Sequence, residues 1–231
     1  MIGFDPVYFM FALPGLLLAL YASWRTRSTF REYAEVAPST HVTGAEAAAR
    51  MLAAEGLRGV HIEPTRGFLS DHYDPGDRTL RLSEDVYYGR SLAAVGVACH
   101  EAGHALQHAE GYRPLMWRSA LVPVTQLGSS LSWIVLTAGF VLHAAALVYL
   151  GIALFSAAVV FALVTLPVEW NASARAKALM VRAGIVRPQE RPHAGAVLDA
   201  AFLTYLAAAV SSILTLLYYL LRAGAFSRSE D

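Results

Sequence analysis

Five consecutive residues, His100 to His104, have the types and the spacing of a zinc-binding motif. They read His-Glu-Ala-Gly-His, which is the pattern H-E-x-x-H. The pattern lies in a segment that predicts a helix, so His100 and His104 share one helix face and can offer two imidazoles to a single ion. Glu101 projects beside them, where it can take a proton from a water molecule whose acidity the metal has raised. These residues together predict the chemistry of a zinc hydrolase.

A third protein ligand is needed, because a catalytic zinc ion usually takes three and keeps one position open. His108 lies about 12 Å from His100 along a helix axis, too far for one ion with bonds of about 2 Å, so we expect it to be a polar residue of the helix face. Glu169 is a lone carboxylate close after an apolar stretch, and small residues follow it. Asp199 is the competing ligand, as in intramembrane site-2-type proteases. The residues favour Glu169 and leave both open.

The composition indicates a membrane protein. Of 231 residues, 56% are hydrophobic and 16% are charged, with a mean hydropathy of +0.43. Ordinary globular domains have about 45–50% hydrophobic residues and about 25% charged residues. Abundant aromatic residues exclude disorder, and the single cysteine, Cys99, excludes a disulfide-stabilised secreted domain, so we expect a packed core thiol there. The net charge is zero, so we expect no nucleic-acid partner.

Four uncharged stretches are long enough to cross a bilayer, which needs about 17–25 helical residues. The second and third are separated by only two residues, which predicts a tight hairpin. Lys and Arg near span ends mark the cytoplasmic side. Ten of them lie in 25–118 and 167–199, against Arg222 and Arg228 elsewhere, so we expect these two regions in the cytoplasm and the N-terminus outside. The stretches are Val7–Trp24, Leu121–Leu142, Ala145–Leu166 and Ala200–Leu221.

The spans divide the chain into five predicted segments. A transmembrane anchor precedes a cytoplasmic zincin-like catalytic region, a transmembrane hairpin, a cytoplasmic segment with the third zinc ligand, and a fourth transmembrane helix with a tail. Their bounds are 1–24, 25–118, 119–166, 167–199 and 200–231. The predicted fold class is a mainly α membrane protein, with four transmembrane helices and a small cytoplasmic α+β zincin-like domain that carries H-E-x-x-H.

Capping signals predict two helices in the region 25–118. Thr43 and Glu46 form a capping box for a helix that ends near Gly56. Ser91 can cap a second helix, which carries H-E-x-x-H and ends before Gly111.

Two short segments of the same region predict strands. Val60–Ile62 and the alternating segment Thr79–Ser83 predict strands, with a turn at Pro75-Gly76 between them. An edge of Thr79–Ser83 could accept an extended substrate as an added strand, or the segment could be an ordinary paired strand. Farther along, Pro167 predicts the first turn of a helix.

Six motifs, spread over nearly the whole chain, are shared with one known family. They are Phe4–Pro6, Ser70–Pro75, Leu80–Ser83, Val95–Ala105, Arg118–Pro123 and Leu166–Ser173. In these motifs the chain resembles the YugP-like neutral zinc metallopeptidases of bacterial membranes and, more distantly, the HtpX-like membrane proteases. The resemblance implies that His100, His104 and Glu169 bind one zinc ion and that Glu101 is the general base. HtpX-like enzymes have an Asp four residues after the ligand Glu, where this chain has Ser173.

The predicted function is that of a multi-pass zinc metalloendopeptidase of the bacterial cytoplasmic membrane, with its active site facing the cytoplasm. We expect the lipid bilayer and polypeptide substrates as partners, with an oligomer or a membrane partner protein left open. Quality control of membrane proteins is expected by analogy. Two alternative hypotheses are an intramembrane protease that uses Asp199 and a membrane scaffold with a vestigial metal site.

Auxiliary residues are predicted around the zinc ligands. Ser173 is a candidate to hydrogen-bond a zinc-binding histidine. A further donor should stabilise the oxyanion that forms during hydrolysis. The candidates are Arg175, His72, Tyr73 and His193.

Overall fold

The structure is a computed structural model that describes residues 5–67 and 70–227. Phe4 of the first motif, and Arg228 with the residues that follow it, lie outside the described residues. The chain separates into two compact units. The first unit comprises the described parts of Met1–Tyr21, Met116–Leu166 and Thr204–Asp231; the second unit comprises those of Ala22–Leu115 and Pro167–Leu203.

The described part of the chain is mainly helical with one small sheet, as the sequence predicts. The elements follow in the order α1 (Pro6–Ala34), α2 (Gly44–Ala54), β1 (His61–Thr65), β2 (His72–Asp74), β3 (Thr79–Ser83), α3 (Glu84–Tyr87), α4 (Leu92–Ala109), α5 (Arg113–Val141), α6 (Ala145–Arg182) and α7 (Arg191–Ser227).

Four of the described helices, α1, α5, α6 and α7, are long and apolar enough to cross a membrane. In the first unit they expose large apolar side chains, such as Leu127 at 75% and Trp133 at 68%. A soluble protein rarely exposes so much apolar surface, whereas lipid tails can cover it. These four candidate helices match the four predicted spans, and they indicate a membrane protein.

The predicted hairpin joins α5 to α6. The three residues 142–144 link the two helices, and His143 adopts a positive φ of 53° at the tip. Glycine allows the helices to approach closely, because a Cβ on Gly151 would lie 2.5 Å from Cγ of Leu136. Small residues at such contacts are typical of helix packing in membranes.

Helix α6 continues from its apolar first part through Arg182 without a break. The prediction that Pro167 opens a new helix is therefore wrong, since Pro167 lies inside α6. A proline within a helix costs about 3 kcal/mol. Val168, Ala172 and Ala176, which follow it, are fully buried, and their packing holds the helix together across the proline.

The sheet lies in the second unit and has the order β1-β3-β2. β1 pairs with β3 in parallel, and β2 pairs with β3 antiparallel. The segment Thr79–Ser83 is thus the central strand with a paired strand on each side. Of the two hypotheses for this segment, the ordinary paired strand is correct and the substrate-accepting edge is wrong. The predicted strand Val60–Ile62 is corrected to His61–Thr65. The strand β2 was missed because His72–Asp74 is polar and reads as part of a turn.

Both predicted capped helices are present in the second unit. The side chains of Thr43 and Glu46 form the capping box of α2. The Ser91 hydroxyl accepts a hydrogen bond of 3.1 Å from the Ala94 amide at the start of α4. Beyond the ends of α2 and α4, Gly56 and Gly111 have positive φ angles of 71° and 66°, a conformation that glycine adopts without strain.

The core of the second unit encloses α4. Cys99 is fully buried in this core, which confirms the predicted packed thiol. Burial raises the pKa of the Cys99 thiol to about 12, so the thiolate that a nucleophile would need is not formed near neutral pH. Large core neighbours are Met51, Leu80, Leu82, Val95 and Met180.

Close backbone approach fixes α4 against its neighbours. A Cβ on Gly103 would lie 2.8 Å from the carbonyl oxygen of Ala172 in α6. A Cβ on Gly96 would lie 3.0 Å from the carbonyl oxygen of Ala194 in α7. Gly103 is the second variable residue of H-E-x-x-H, so the motif itself contains the position that lets α6 reach the two histidines.

We predict that Gly103→Ala destabilises the protein. The added methyl group meets backbone rather than a movable side chain, so α6 must shift, at a net cost of about 2 kcal/mol. Such a loss lowers the melting temperature by about 4–8 °C for a chain of this size, measured by thermal unfolding in detergent.

The matched control is Gly224→Ala, where a Cβ meets nothing within 4 Å in helix α7. There alanine should raise or preserve the melting temperature, because it is the better helix former. Equal melting temperatures for the two variants would contradict the close approach of α4 and α6.

Candidate metal centre

Three side chains from two helices converge in the second unit. His100 and His104 lie on α4, and Glu169 lies on α6. Their ligand atoms lie within 4.8 Å of one another. Oε2 of Glu169 is 3.1 Å from Nε2 of His100 and 3.5 Å from Nε2 of His104. One nitrogen of each ring therefore faces the same carboxylate oxygen.

The centre is enclosed but reachable. The side chain of Glu169 is 1% exposed, while those of His100 and His104 are 12% and 9% exposed. A buried carboxylate is strongly disfavoured unless positive charge or hydrogen bonds compensate it. The two imidazoles that face Glu169, or a cation held between them and the carboxylate, compensate its charge.

The other nitrogen of each imidazole also has a partner. Nδ1 of His100 lies 3.1 Å from the hydroxyl of Ser173, the contact for which Ser173 was a candidate. Nδ1 of His104 donates to Oε1 of Gln107 over 3.0 Å. An amide oxygen can only accept, so this bond puts a hydrogen on Nδ1 of His104. In the neutral ring, Nε2 then presents a lone pair to Glu169.

This arrangement fits a metal ion. A lone pair on Nε2 of His104 and a carboxylate oxygen of Glu169 repel each other unless a proton or a cation lies between them. Burial by itself lowers the pKa of the His104 imidazole, but the hydrogen bond with Glu169 and the charges of Glu101 and Glu169 outweigh it and raise that pKa. The cluster therefore attracts positive charge. Two imidazoles and one carboxylate are a ligand set that catalytic zinc takes.

Glu101 follows His100 on α4 and is partly buried. Burial and, to a smaller extent, the neighbouring charge of Glu101 raise the pKa of Asp71. Asp71 accepts hydrogen bonds from the backbone and the hydroxyl of Ser83 at the end of β3. A second carboxyl group, not anticipated from the sequence, thus lies near Glu101.

Gln107 belongs to a hydrogen-bonded chain between α4 and α6. Its Nε2 donates to the carbonyl of Val168 and to Oδ1 of Asn171, both over 2.9 Å. Arg175 donates from Nε to the same Asn171 oxygen over 2.7 Å. The two terminal nitrogens of Arg175 donate to Glu110 over 2.6 and 2.7 Å. These bonds use three of the five N–H groups of the guanidinium. The oxyanion-stabilising role of Arg175 stays a prediction, and a second role is argued below.

Sequence reasoning missed Gln107 and Asn171. Gln107 stands three residues after His104, and residues at this spacing share a helix face. Asn171 stands four residues before Arg175, with the same consequence on α6. Both spacings can be seen in the sequence. Only the packing of α4 on α6 shows that the helix face with Gln107 meets the helix face with Asn171.

The remaining oxyanion candidates make other interactions. His72 is exposed, and its Nδ1 bonds the carbonyl of Ser70 over 2.8 Å. The hydroxyl of Tyr73 bonds Nδ1 of His108 over 2.9 Å, which places His108 outside the ligand group as expected. His193 stacks on a tyrosine ring of α1, with 5.5 Å between centroids.

Asp199, the competing ligand, pairs with Lys177 and is half exposed. The group of metal-binding type found among residues 5–67 and 70–227 contains Glu169 and not Asp199. The geometry thus favours Glu169 as the third ligand.

Comparisons with known proteins identify the family of the chain. Residues 8–224 match the model of a family described as "Putative neutral zinc metallopeptidase". The chain is 46% identical over 215 residues to "Putative membrane protease YugP" of Bacillus subtilis (strain 168), which covers 93% of this chain and 96% of that protein. No solved structure matches the chain. The resemblance seen in the sequence is confirmed, and the chain belongs to the neutral zinc metallopeptidase family that this model describes.

Proposed function

We propose that this protein is a zinc-dependent membrane endopeptidase in which His100, His104 and Glu169 hold the metal and Glu101 is the general base. One observation carries the proposal: Nε2 of both histidines on one helix and Oε2 of a buried glutamate on another lie within 4.8 Å of one another, and Glu101 directly follows His100. The protease named among the relatives supports the same class of reaction.

The chemistry divides between the metal and the chain. A zinc ion held by these residues would supply Lewis acidity, which polarises a carbonyl and raises the acidity of water. Glu101 would take the proton of the attacking water and pass it to the nitrogen of the leaving amine. The hydrogen bonds at Nδ1 of His100 and His104 would keep both rings oriented during these steps.

The proposed location is the cytoplasmic membrane of a bacterium, with the centre on the cytoplasmic side. The excess of Lys and Arg in 25–118 and 167–199 supports this orientation, because basic loops stay on that side. Polypeptides within or beside the same membrane are the proposed substrates, and removal of damaged membrane proteins is the proposed role.

The third ligand is tested by zinc content. We expect about one zinc ion per chain in the purified parent and a large loss in Glu169→Ala, because two histidines alone hold zinc weakly. Zinc per chain is measured by mass spectrometry of the metal after gel filtration in detergent, with a thermal melt to show that each variant folds.

Asp199→Ala is the matched control, since it removes a carboxylate that pairs with Lys177 outside the ligand group. It should keep the zinc of the parent. Zinc retained by Glu169→Ala and lost by Asp199→Ala would transfer the ligand role to Asp199 and favour the intramembrane hypothesis. No zinc in the parent, even after zinc is supplied, would favour the scaffold hypothesis.

The general base is tested by Glu101→Gln, which keeps the shape of the side chain and removes its basicity. We expect unchanged zinc content and a fall in peptide hydrolysis of about 10²–10⁴-fold. The assay incubates the detergent-purified chain with a complex peptide mixture and counts new termini by mass spectrometry, so that no cleavage preference need be known.

Glu35→Gln serves as the control, because Glu35 is an exposed glutamate outside the helices and strands. Its hydrolysis rate should equal that of the parent. A Glu101→Gln variant that cleaves as fast as the parent would exclude Glu101 as the base.

A further inference from the structure

A fully buried amide lies one turn beyond the second histidine of the motif. Gln107 is 0% exposed, and its oxygen and nitrogen are both hydrogen-bonded. An apolar side chain of similar size would fill this place without the cost of removing an amide from water. The polarity of Gln107 therefore serves a purpose that packing does not require.

The donor and the acceptor of each hydrogen bond can be assigned by starting from Arg175, at the far end of the hydrogen-bonded chain. The guanidinium of Arg175 has only donors, so Asn171 must turn its oxygen towards Nε of Arg175. The same oxygen accepts from Nε2 of Gln107, whose second hydrogen goes to the carbonyl of Val168. The only part of the Gln107 amide left for His104 is Oε1, which can only accept.

Glu110 closes the chain at its outer end. It is half exposed and binds both terminal nitrogens of Arg175, a two-pronged geometry that fixes the guanidinium plane. The hydrogen bond from Arg175 lowers the pKa of Glu110, so the pair stays ionic. The chain thus runs from an exposed ion pair to a buried imidazole.

We propose that Gln107, Asn171, Arg175 and Glu110 form a positioning chain that keeps the hydrogen of His104 on Nδ1 and turns Nε2 towards the metal. This inference rests on the proposed zinc site. A histidine binds a metal through the nitrogen that carries no hydrogen, and the bond at the other nitrogen selects which one that is. At His100 the partner is the hydroxyl of Ser173, which can donate or accept, so no tautomer is imposed there.

The chain also sets the position of the third ligand. Gln107 lies on α4, as His104 does, and its bond to the carbonyl of Val168 holds the residue just before Glu169 on α6. Loss of the positioning chain should therefore weaken metal binding directly. The position of Glu101 on α4 should not change.

The test compares zinc affinity in three variants of the full chain in detergent. Gln107→Met and Asn171→Leu remove the amides, and each should raise the zinc dissociation constant about 10–100-fold. Asn171→Asp keeps an acceptor oxygen for Gln107 and Arg175, and its constant should stay close to that of the parent. Affinity is measured by competition with a chelator, and the visible spectrum of the Co²⁺-loaded protein reports the ligand geometry.

Thr26→Val is the matched control, because it removes hydrogen bonds to the carbonyls of Ala22 and Ala200 within the same unit. It should keep the zinc affinity and the cobalt spectrum of the parent, whatever its metal-free melting temperature. The melting temperature of every metal-free variant is recorded, so that a loss of folding is separated from a loss of affinity.

Three results would overturn the positioning chain. The first is parental affinity and cobalt spectrum in Gln107→Met. The second is an affinity loss that follows the melting temperature in all variants, Thr26→Val included. The third is a zinc affinity of Asn171→Asp that is as low as the zinc affinity of Asn171→Leu. Each of these leaves the proposed function intact if the parent binds zinc, whereas a parent that binds none overturns both.

Discussion

The burial of one carboxylate governs the architecture of the second unit. Glu169 lies on a helix, and almost none of its side chain reaches solvent. Such a group is tolerated only where partners or a cation compensate it, and here two imidazoles on another helix are among the partners. For them to reach it, α4 and α6 must approach more closely than ordinary side chains allow. Gly103 and Ala172 supply that approach, and the packing that follows keeps α6 helical past Pro167.

The rest of the second unit serves to hold α4 in place. Ser91 fixes its first turn, and Gly111 ends it with a positive φ. The apolar core around Cys99 covers the side of α4 that does not carry the motif. Both histidines therefore stand on a buried, capped helix, which suits a site whose ligand atoms must keep their separation to within a few tenths of an ångström.

Local signals in the sequence predicted the parts of the structure that depend on near neighbours. The capping box at Thr43, the cap at Ser91 and the motif at His100 all concern residues within four positions, and all three are found as local structure. The four apolar stretches were readable because lipid demands an uninterrupted length. The central position of β3, the strand β2 and the continuity of α6 through Pro167 depend on partners far along the chain, and local patterns carry no record of them. Glu169 was found by topology and resemblance, whereas Gln107 and Asn171 escaped notice because a polar residue on a helix face is commonly solvated.

Charge gives a reason why neither histidine has a charged partner at Nδ1. With neutral imidazoles, Glu169 and Glu101 carry two negative charges, which a divalent zinc ion would balance. An aspartate at position 173, as in HtpX-like enzymes, would add a third negative charge, and Asp71 already lies near Glu101. The hydroxyl of Ser173 orients His100 without adding charge. His104 is bonded to a neutral amide, and the ion pair that orients the amides, Arg175 with Glu110, is itself neutral and lies at the outer end of the chain. Glu169 and Glu101 would therefore balance the charge of a bound zinc ion, while the partners at Nδ1 of both imidazoles add no charge.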